Sequence, residues 1–284
     1  MQPETNGVMV ASNIAKDDAR PYEPAKGPAL RRITAGAIKR RKGTSVVPMV
    51  TAYDTPFASF AEEAGIDWIL CGDSLGNVVL GYDETTSVTM DQMIHHTAAV
   101  SRGTARAHIV ADMPFGSYQV SNEDAVCNAI RFVKEAGAQS VKLEGGVHEA
   151  DRVRAIARTG IPVVGHIGVT PQTAGLGPGY RKRTHRDRLL ADALAIEEAG
   201  AYAIVLEVVD FDIARELTER LSILTIGIGS GNACDAQVLV LHDLLGMYPH
   251  SPPFSKRFAE IGAQSTAALR EYATAVRERN FPET

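Results

Sequence analysis

The chain has 284 residues, 45% of them hydrophobic and 22% charged, enough apolar material for one large core or two modest ones. Its 29 Lys and Arg stand against 34 Asp and Glu, a net charge of -5, so no basic field spans the molecule to attract a nucleic-acid backbone or an anionic membrane. Apolar stretches such as residues 203–206 are far shorter than the roughly 20 residues that cross a bilayer, and no transmembrane helix is expected.

Residues 1–30 are rich in Pro, Asp and polar side chains (Pro3, Asp17, Asp18, Pro21, Pro24, Pro28) and carry no apolar run behind a basic start. They read as a flexible arm retained in the cytoplasm, leaving residues 31–284 for a single domain. From Pro48 onward, short β-rich runs alternate with helical patterns, the grammar of strand–helix units around a parallel sheet. Strands are predicted at 48–53, 67–72, 107–113, 140–144, 162–167, 201–208, 224–228 and 237–241. Eight strands over roughly 235 residues match a closed (β/α)8 TIM barrel, with an open doubly wound sheet as the structural alternative. Between them, residues 122–136 form the clearest helix: Ala125, Ile130, Val133 and Ala136 share a stripe, Ser121 can cap its start and Gly137 ends it. The tetrapeptides ending at Gly65, Gly137 and Gly200 (EEAG, KEAG, EEAG) each close a helix ahead of a strand, as glycine caps do. Beyond the last strand, Phe258, Ile261, Leu269, Tyr272 and Val276 recur among charges over residues 255–279. One amphipathic helix or two shorter ones are expected there, with an apolar face that either closes the barrel or packs on another subunit. The three cysteines, Cys71, Cys127 and Cys234, are widely spaced and lack CxxC pairing, which suits a reduced compartment and small buried thiols.

In a parallel barrel the reacting groups stand where strands run into the βα loops, because those ends converge on one face. Asp73, Asp112, Glu144 and Glu207 follow apolar strands in this way, and Lys142 precedes Glu144 by two, on the same strand face. An unpaired charge at such a position is costly, so a metal or a charged partner is expected. Oxygen donors with open positions suit Mg²⁺, with Asp73, Asp112 and Glu144 as its candidate ligands and Lys142 as partner of an anionic substrate. The competing reading is a buried ion-pair network that only closes the barrel. His166, at the end of the fifth strand, ranks second. His95 and His96 are helix neighbours that point apart and do not make a metal pair. The glycines of the run 227–231 suit either a phosphate on backbone amides or a close approach of other groups. The basic runs 39–42 and 181–188 read as solvated, although the second lies on the catalytic face within reach of an anionic ligand.

Taken in order, TAYD (51–54), GDSLG (72–76), ADMPF (111–115), VKLEGG (141–146), GHIGVTPQ (165–172), VLE (205–207) and GIGSGNACDAQVLVLHD (227–243) resemble the ketopantoate hydroxymethyltransferase family, also called 3-methyl-2-oxobutanoate hydroxymethyltransferase. The resemblance runs from about residue 30 to 282. It implies a TIM barrel of the phosphoenolpyruvate/pyruvate type that moves a one-carbon unit from 5,10-methylenetetrahydrofolate to 3-methyl-2-oxobutanoate through a Mg²⁺-stabilised enolate, giving 2-dehydropantoate for pantothenate biosynthesis. By the same resemblance Asp73, Asp112 and Glu144 are metal ligands, Asp73, Ser74, Asp112 and Lys142 contact the 2-oxoacid, and Glu207 accepts the proton. It also implies a homo-oligomer. The chain departs from the family where a GGYKVQG-like segment is usual: residues 177–185 read GPGYRKRTH and are unusually basic. Asn77 stands where methionine is expected and Ser230 where alanine is usual. Those departures leave open a paralogue acting on another 2-oxoacid. Two other readings compete, a Mg²⁺-dependent C–C lyase of the phosphoenolpyruvate mutase/isocitrate lyase type, whose KKCGH-like loop is missing from this sequence, and a non-catalytic barrel scaffold.

Overall fold

The computed structural model of the chain describes residues 31–177 and 179–282, so the arm expected over 1–30 lies outside the described residues. Eight strands are present: β1 (Val47–Thr51), β2 (Trp68–Cys71), β3 (His108–Asp112), β4 (Ser140–Lys142), β5 (Val163–Gly168), β6 (Ala203–Glu207), β7 (Leu224–Ile228) and β8 (Ala236–Leu239). Each pairs in parallel with the next, and β8 closes on β1 through Val47 opposite Ala236 to Val50 opposite Leu239. Closure excludes the open doubly wound sheet.

Alternation along the strands builds two cores. Met49, Leu70, Val110, Val164, Val205, Ile226 and Val238 point inward and fill the barrel, while Val50, Ile69, Ala111, Val141, Ile204 and Leu206 point outward beneath the helices. The surrounding helices are α1 (Ala35–Lys39), α2 (Thr55–Glu63), α3 (Leu75–Val78), α4 (Met90–Arg102), α5 (Asn122–Ala136), α6 (Ala150–Arg158), α7 (Pro171–Ala174), α8 (Arg186–Glu198), α9 (Phe211–Arg220), α10 (Leu241–Leu244) and α11 (Ile261–Arg277). Their starts follow local chemistry. Asp54 accepts from the Phe57 amide, Thr89 and Gln92 form a reciprocal capping box, and Ser121 accepts from the Asp124 amide. Helix α5 has the bounds its sequence predicts and ends on Gly137 at φ 71°, a left-handed conformation open to glycine.

The N-terminal face of the barrel is stoppered from within and below. Ile38 and Ala35 of α1 join the barrel core, and the Arg32 guanidinium binds the carbonyls of Ser101, Thr104 and Ala107. Above them, His108 reaches the Ile33 carbonyl at 2.8 Å and the Ser140 hydroxyl at 2.9 Å, with Tyr202 beside both. Helix α11 is one helix rather than two, and none of its residues is buried. It therefore does not close the barrel. Leu269, Tyr272 and Val276 remain exposed on it. Cys71 and Cys234 are buried as expected, whereas Cys127 is exposed on α5, whose polar face it shares.

Candidate active site

The opposite end of the barrel carries charge. The inward alternation that places Val110, Val164 and Val205 in the core places Asp112, His166 and Glu207 two residues further along, above it. Asp112 and Lys142 are register partners on β3 and β4, and the Lys142 Nζ donates to both Asp112 oxygens at 2.7 and 2.8 Å. The Asp73 amide donates to Asp112 Oδ2 at 3.2 Å, which ties the turn after β2 to the end of β3. Glu144, just past β4, has Oε1 at 3.6 Å from Lys142 Nζ and 3.3 Å from His166 Nδ1. The other ring nitrogen of His166 lies 3.3 Å from Glu207 Oε2, so the imidazole stands between two carboxylates. Neither contact has hydrogen-bond alignment, and Glu144 Oε1 likewise has no hydrogen-bond partner. The Ser74 hydroxyl, at the start of α3, is 2.9 Å from the Tyr53 hydroxyl.

These groups share a cavity of about 680 Å³, lined by all seven sequence-predicted site residues: Asp73, Ser74, Asp112, Lys142, Glu144, His166 and Glu207. His166, ranked second from sequence, is central to it. Gln172, in α7, was given no role by sequence reasoning, yet its side-chain amide donates to Asp73 Oδ2 at 2.8 Å and to the Met113 carbonyl at 2.9 Å. Its backbone amide donates to Glu144 Oε2 at 3.1 Å, and the Tyr118 hydroxyl donates to its Oε1 at 2.7 Å. The one available signal was its place in the GHIGVTPQ motif; Tyr118 had none.

Burial in so small a volume forces the ionisations apart. Burial and then Asp112 raise the Asp73 carboxyl well above its ordinary value, against the pull of Lys142. Asp112 is raised by burial, with Lys142 opposing. Glu144 is pushed up by burial, but His166 and Lys142 outweigh that and hold it low. Burial would lower Lys142, and Asp112, Glu144 and Asp73 together raise it instead. His166 is depressed by burial and by Lys142, but Glu144 and Glu207 bring it up to about 9. The site is thus short of positive charge.

That shortage is the measure of whether a cation fits. Among the described residues, no three His, Cys, Asp or Glu side chains converge tightly enough to enclose an ion by themselves. Asp73, Asp112 and Glu144 nevertheless stand at or just past the ends of three successive strands, β2 to β4, with an unpartnered Glu144 oxygen and two carboxyls raised by burial and by neighbouring carboxylates, Asp73 by Asp112 and Asp112 by Glu144. A hard divalent ion that keeps waters and substrate oxygens among its ligands suits such a set.

Other candidates resolve differently. In the 227–231 run, a Cβ at Gly229 would lie 2.9 Å from the Phe254 ring and one at Gly231 3.2 Å from the Phe211 ring, so the glycines admit aromatic rings. Close approach accounts for them. His96 packs with Nδ1 at 2.7 Å from the Tyr53 carbonyl. In the basic loop, Arg183 is engaged by the carbonyls of Gly168, Gly179 and Arg181, and Lys182 pairs with Asp210 and lies 4.2 Å over the Phe211 ring. Lys182 and Tyr180 line the main cavity, while Arg183, His185 and Arg188 line a second one of about 350 Å³ that shares Glu144 with it.

Comparison with known proteins sets this geometry in context. A family model described as ketopantoate hydroxymethyltransferase matches residues 32–284. The 3-methyl-2-oxobutanoate hydroxymethyltransferase of Ignicoccus hospitalis is 50% identical over 258 residues, 89% of this chain and 98% of its own. That of Carboxydothermus hydrogenoformans is 52% identical over 258 residues, 89% of this chain and 94% of its own. Among solved structures, a phosphoenolpyruvate phosphomutase from Streptomyces platensis subsp. rosaceus aligns over 87% of this chain and 88% of its own with a TM-score of 0.61 and 15% identity. A 2,3-dimethylmalate lyase of the PEP mutase/isocitrate lyase superfamily covers 89% of this chain and 91% of its own, with a TM-score of 0.58 and 16% identity. At such identities these two show a shared barrel. No helix among the described residues is long and apolar enough to cross a membrane.

Proposed function

The chain belongs to the ketopantoate hydroxymethyltransferase family, and from that premise we propose that it transfers a one-carbon unit from 5,10-methylenetetrahydrofolate to 3-methyl-2-oxobutanoate, giving 2-dehydropantoate in pantothenate biosynthesis. The observation that carries this reading is the gathering of Asp73, Ser74, Asp112, Lys142, Glu144 and Glu207 around one cavity, with Glu207 on the strand two places round from Lys142. Asp73, Asp112 and Glu144 would hold Mg²⁺, which when bound supplies Lewis-acid polarisation of the 2-oxo group and so acidifies the C3 proton. The Lys142 ammonium and the Ser74 hydroxyl receive the oxygens of the 2-oxoacid, and Asp73 and Asp112 contact it alongside. Glu207 takes the C3 proton, and His166, 3.3 Å from its Oε2, steadies that carboxylate. The electron pair left at C3 attacks the methylene carbon of the donor. As that carbon gains its bonds to C3 and to the hydroxyl of a water, its two bonds to nitrogen break, the C3 proton and the second proton of the water end on the two nitrogens, and tetrahydrofolate leaves.

Residues 31–284 are read as one barrel domain. Three free cysteines support a cytoplasmic enzyme. The unpartnered apolar residues of α11 support a homo-oligomer.

The test is Mg²⁺-dependent loss of the C3 proton from 3-methyl-2-oxobutanoate into deuterated water, followed by the folate-dependent transfer assay with several branched 2-oxoacids. Exchange and transfer are expected, and Glu207→Gln should abolish both while retaining 2-oxoacid binding. A wild-type protein without exchange would support the scaffold reading. Cleavage of a C–C bond in place of transfer would support a lyase, and turnover by Glu207→Gln would remove Glu207 from the mechanism.

A further inference from the structure

Around the barrel mouth the site divides into two arcs. Asp73, Asp112, Lys142, Glu144 and His166 come from β2 to β5 and the turns after them, whereas the end of β7 and the segment following β8 contribute an apolar wall made by Ile228, Val240, Pro252, Pro253 and Phe254. Glu207, on β6, stands where the arcs meet. The cavity's volume of about 680 Å³ is that of a pocket for a drug-sized ligand, far more than a branched five-carbon acid fills. Phe254 rests against bare Gly229 on one side and is still 39% exposed.

A single carboxylate interrupts this wall. Asp243, in α10, lines the cavity half-buried, and no hydrogen bond or ion pair to its side chain occurs among the described residues. Arg257, the cation that acts on it, donates to the Pro249 carbonyl and the Ser251 hydroxyl and lies 3.5 Å from Glu260. Burial raises the Asp243 carboxyl above its ordinary value, as befits an acceptor without donors.

We propose that Asp243, Phe254 and the Pro252–Pro253 pair form the subsite for the fused 2-amino-4-oxopyrimidine ring of the one-carbon donor. This rests on the folate reading above and names the residues that would take the donor. The flat ring lies on Phe254, and its adjacent ring and amino N–H groups donate side by side to the two Asp243 oxygens, a pairing that a carboxylate matches and a neutral acceptor does not. The arrangement sets the donor on the β7–β8 arc and the 2-oxoacid on the β2–β5 arc. Glu207 then removes the C3 proton at the boundary across which the new C–C bond forms.

The experiment measures tetrahydrofolate binding by calorimetry, steady-state transfer with both substrates varied, and C3 exchange without donor. Asp243→Asn should raise the KM for methylenetetrahydrofolate and the Kd for tetrahydrofolate roughly tenfold or more, because the amide turns a donor toward donors. The KM for the 2-oxoacid and the exchange rate should hold. Phe254→Leu, which keeps an apolar side chain against Gly229, should weaken tetrahydrofolate in the same direction. Wild-type tetrahydrofolate affinity in both variants would overturn the subsite while leaving the folate reading intact, and loss of C3 exchange in Asp243→Asn would assign that residue to the 2-oxoacid arc instead. A wild-type enzyme that exchanges the C3 proton yet neither binds tetrahydrofolate nor takes carbon from its methylene form would overturn the donor reading and the subsite with it.

Discussion

Lys142→Met removes the ammonium from the centre of the site and keeps most of the stem's volume. The Nζ stands 2.7 and 2.8 Å from the two Asp112 oxygens and 3.6 Å from Glu144 Oε1, with the side chain only 5% exposed. Its loss leaves Asp112 and Glu144 buried together without that counter-charge. Truncating one member of a buried pair costs about 3–5 kcal/mol, and at roughly 2–4 °C per kcal/mol for a domain of this size the Tm should fall by about 6–20 °C. His166 still serves Glu144, 3.3 Å away, but Asp112 loses both of its Nζ contacts, and a bound divalent cation is the relief that both carboxylates can share. Mg²⁺ should therefore raise the Tm of the variant more than that of the wild type, because the ion supplies charge that Lys142 supplied before. Differential scanning calorimetry in chelator and in excess Mg²⁺ measures both effects, and sodium chloride at matched ionic strength accounts for general screening. An equal Mg²⁺ gain in the two proteins, or a Tm loss under about 2 °C in chelator, would refute the claim that these carboxylates are held together by shared positive charge.

At the far end of the barrel, the Ile33 carbonyl can only accept, so His108 Nδ1 carries the proton and Nε2 faces hydroxyl donors. Burial lowers the His108 pKa from 6.5 to about 4. Between those values the unfolded chain binds more protons than the folded one, so the stabilisation is complete above pH 6.5 and is lost as the pH falls toward 4, by about 3 kcal/mol in all. Urea unfolding across that range should show this slope in the wild type and a flatter one in His108→Gln; parallel slopes would contradict it. Val208, which follows Glu207, has φ 50°, a conformation costly for a β-branched residue. Val208→Gly should raise stability by about 1 kcal/mol and slow turnover, since the strained turn aims Glu207. Destabilisation by Val208→Gly with undiminished turnover would show that the turn does neither.

A period of two was sufficient to find most of the site. Val110 and Asp112, Val164 and His166, and Val205 and Glu207 are the same inner face read one step further, so an apolar strand with a charged end already states which way the charge points. What that period does not encode is the company each residue keeps. Gln172 binds Asp73 across 99 positions and the Met113 carbonyl across 59, from a four-residue helix with no periodicity to read. Asp243 lies in another helix of that length, and its place on the cavity depends on where residues 252–254 return. His166 ranked low for the same reason: a lone strand-end histidine acquires its meaning only from Glu144 on one neighbouring strand segment and Glu207 on the other. The glycines of the 227–231 run were open to two readings until Phe211 and Phe254 arrived from elsewhere in the chain. Helix α11 shows the converse, since its amphipathic pattern is plain in sequence yet nothing in that pattern says what covers it.

The charged layer itself depends on closure. Asp73, Asp112 and Glu144 stand at or just past the ends of separate strands, and without the closed mouth a lone carboxylate at any of those ends would reach solvent at modest cost. Joining β8 to β1, where the Leu241 amide donates to the Thr51 hydroxyl across 190 positions, draws all the strand ends into one mouth and buries the carboxylates together. Hydrophobic closure of the barrel thus drives an arrangement that electrostatics alone opposes. The raised Asp73 and Asp112 carboxyls are the sign of that opposition, and it is relieved by whatever cation the mouth admits.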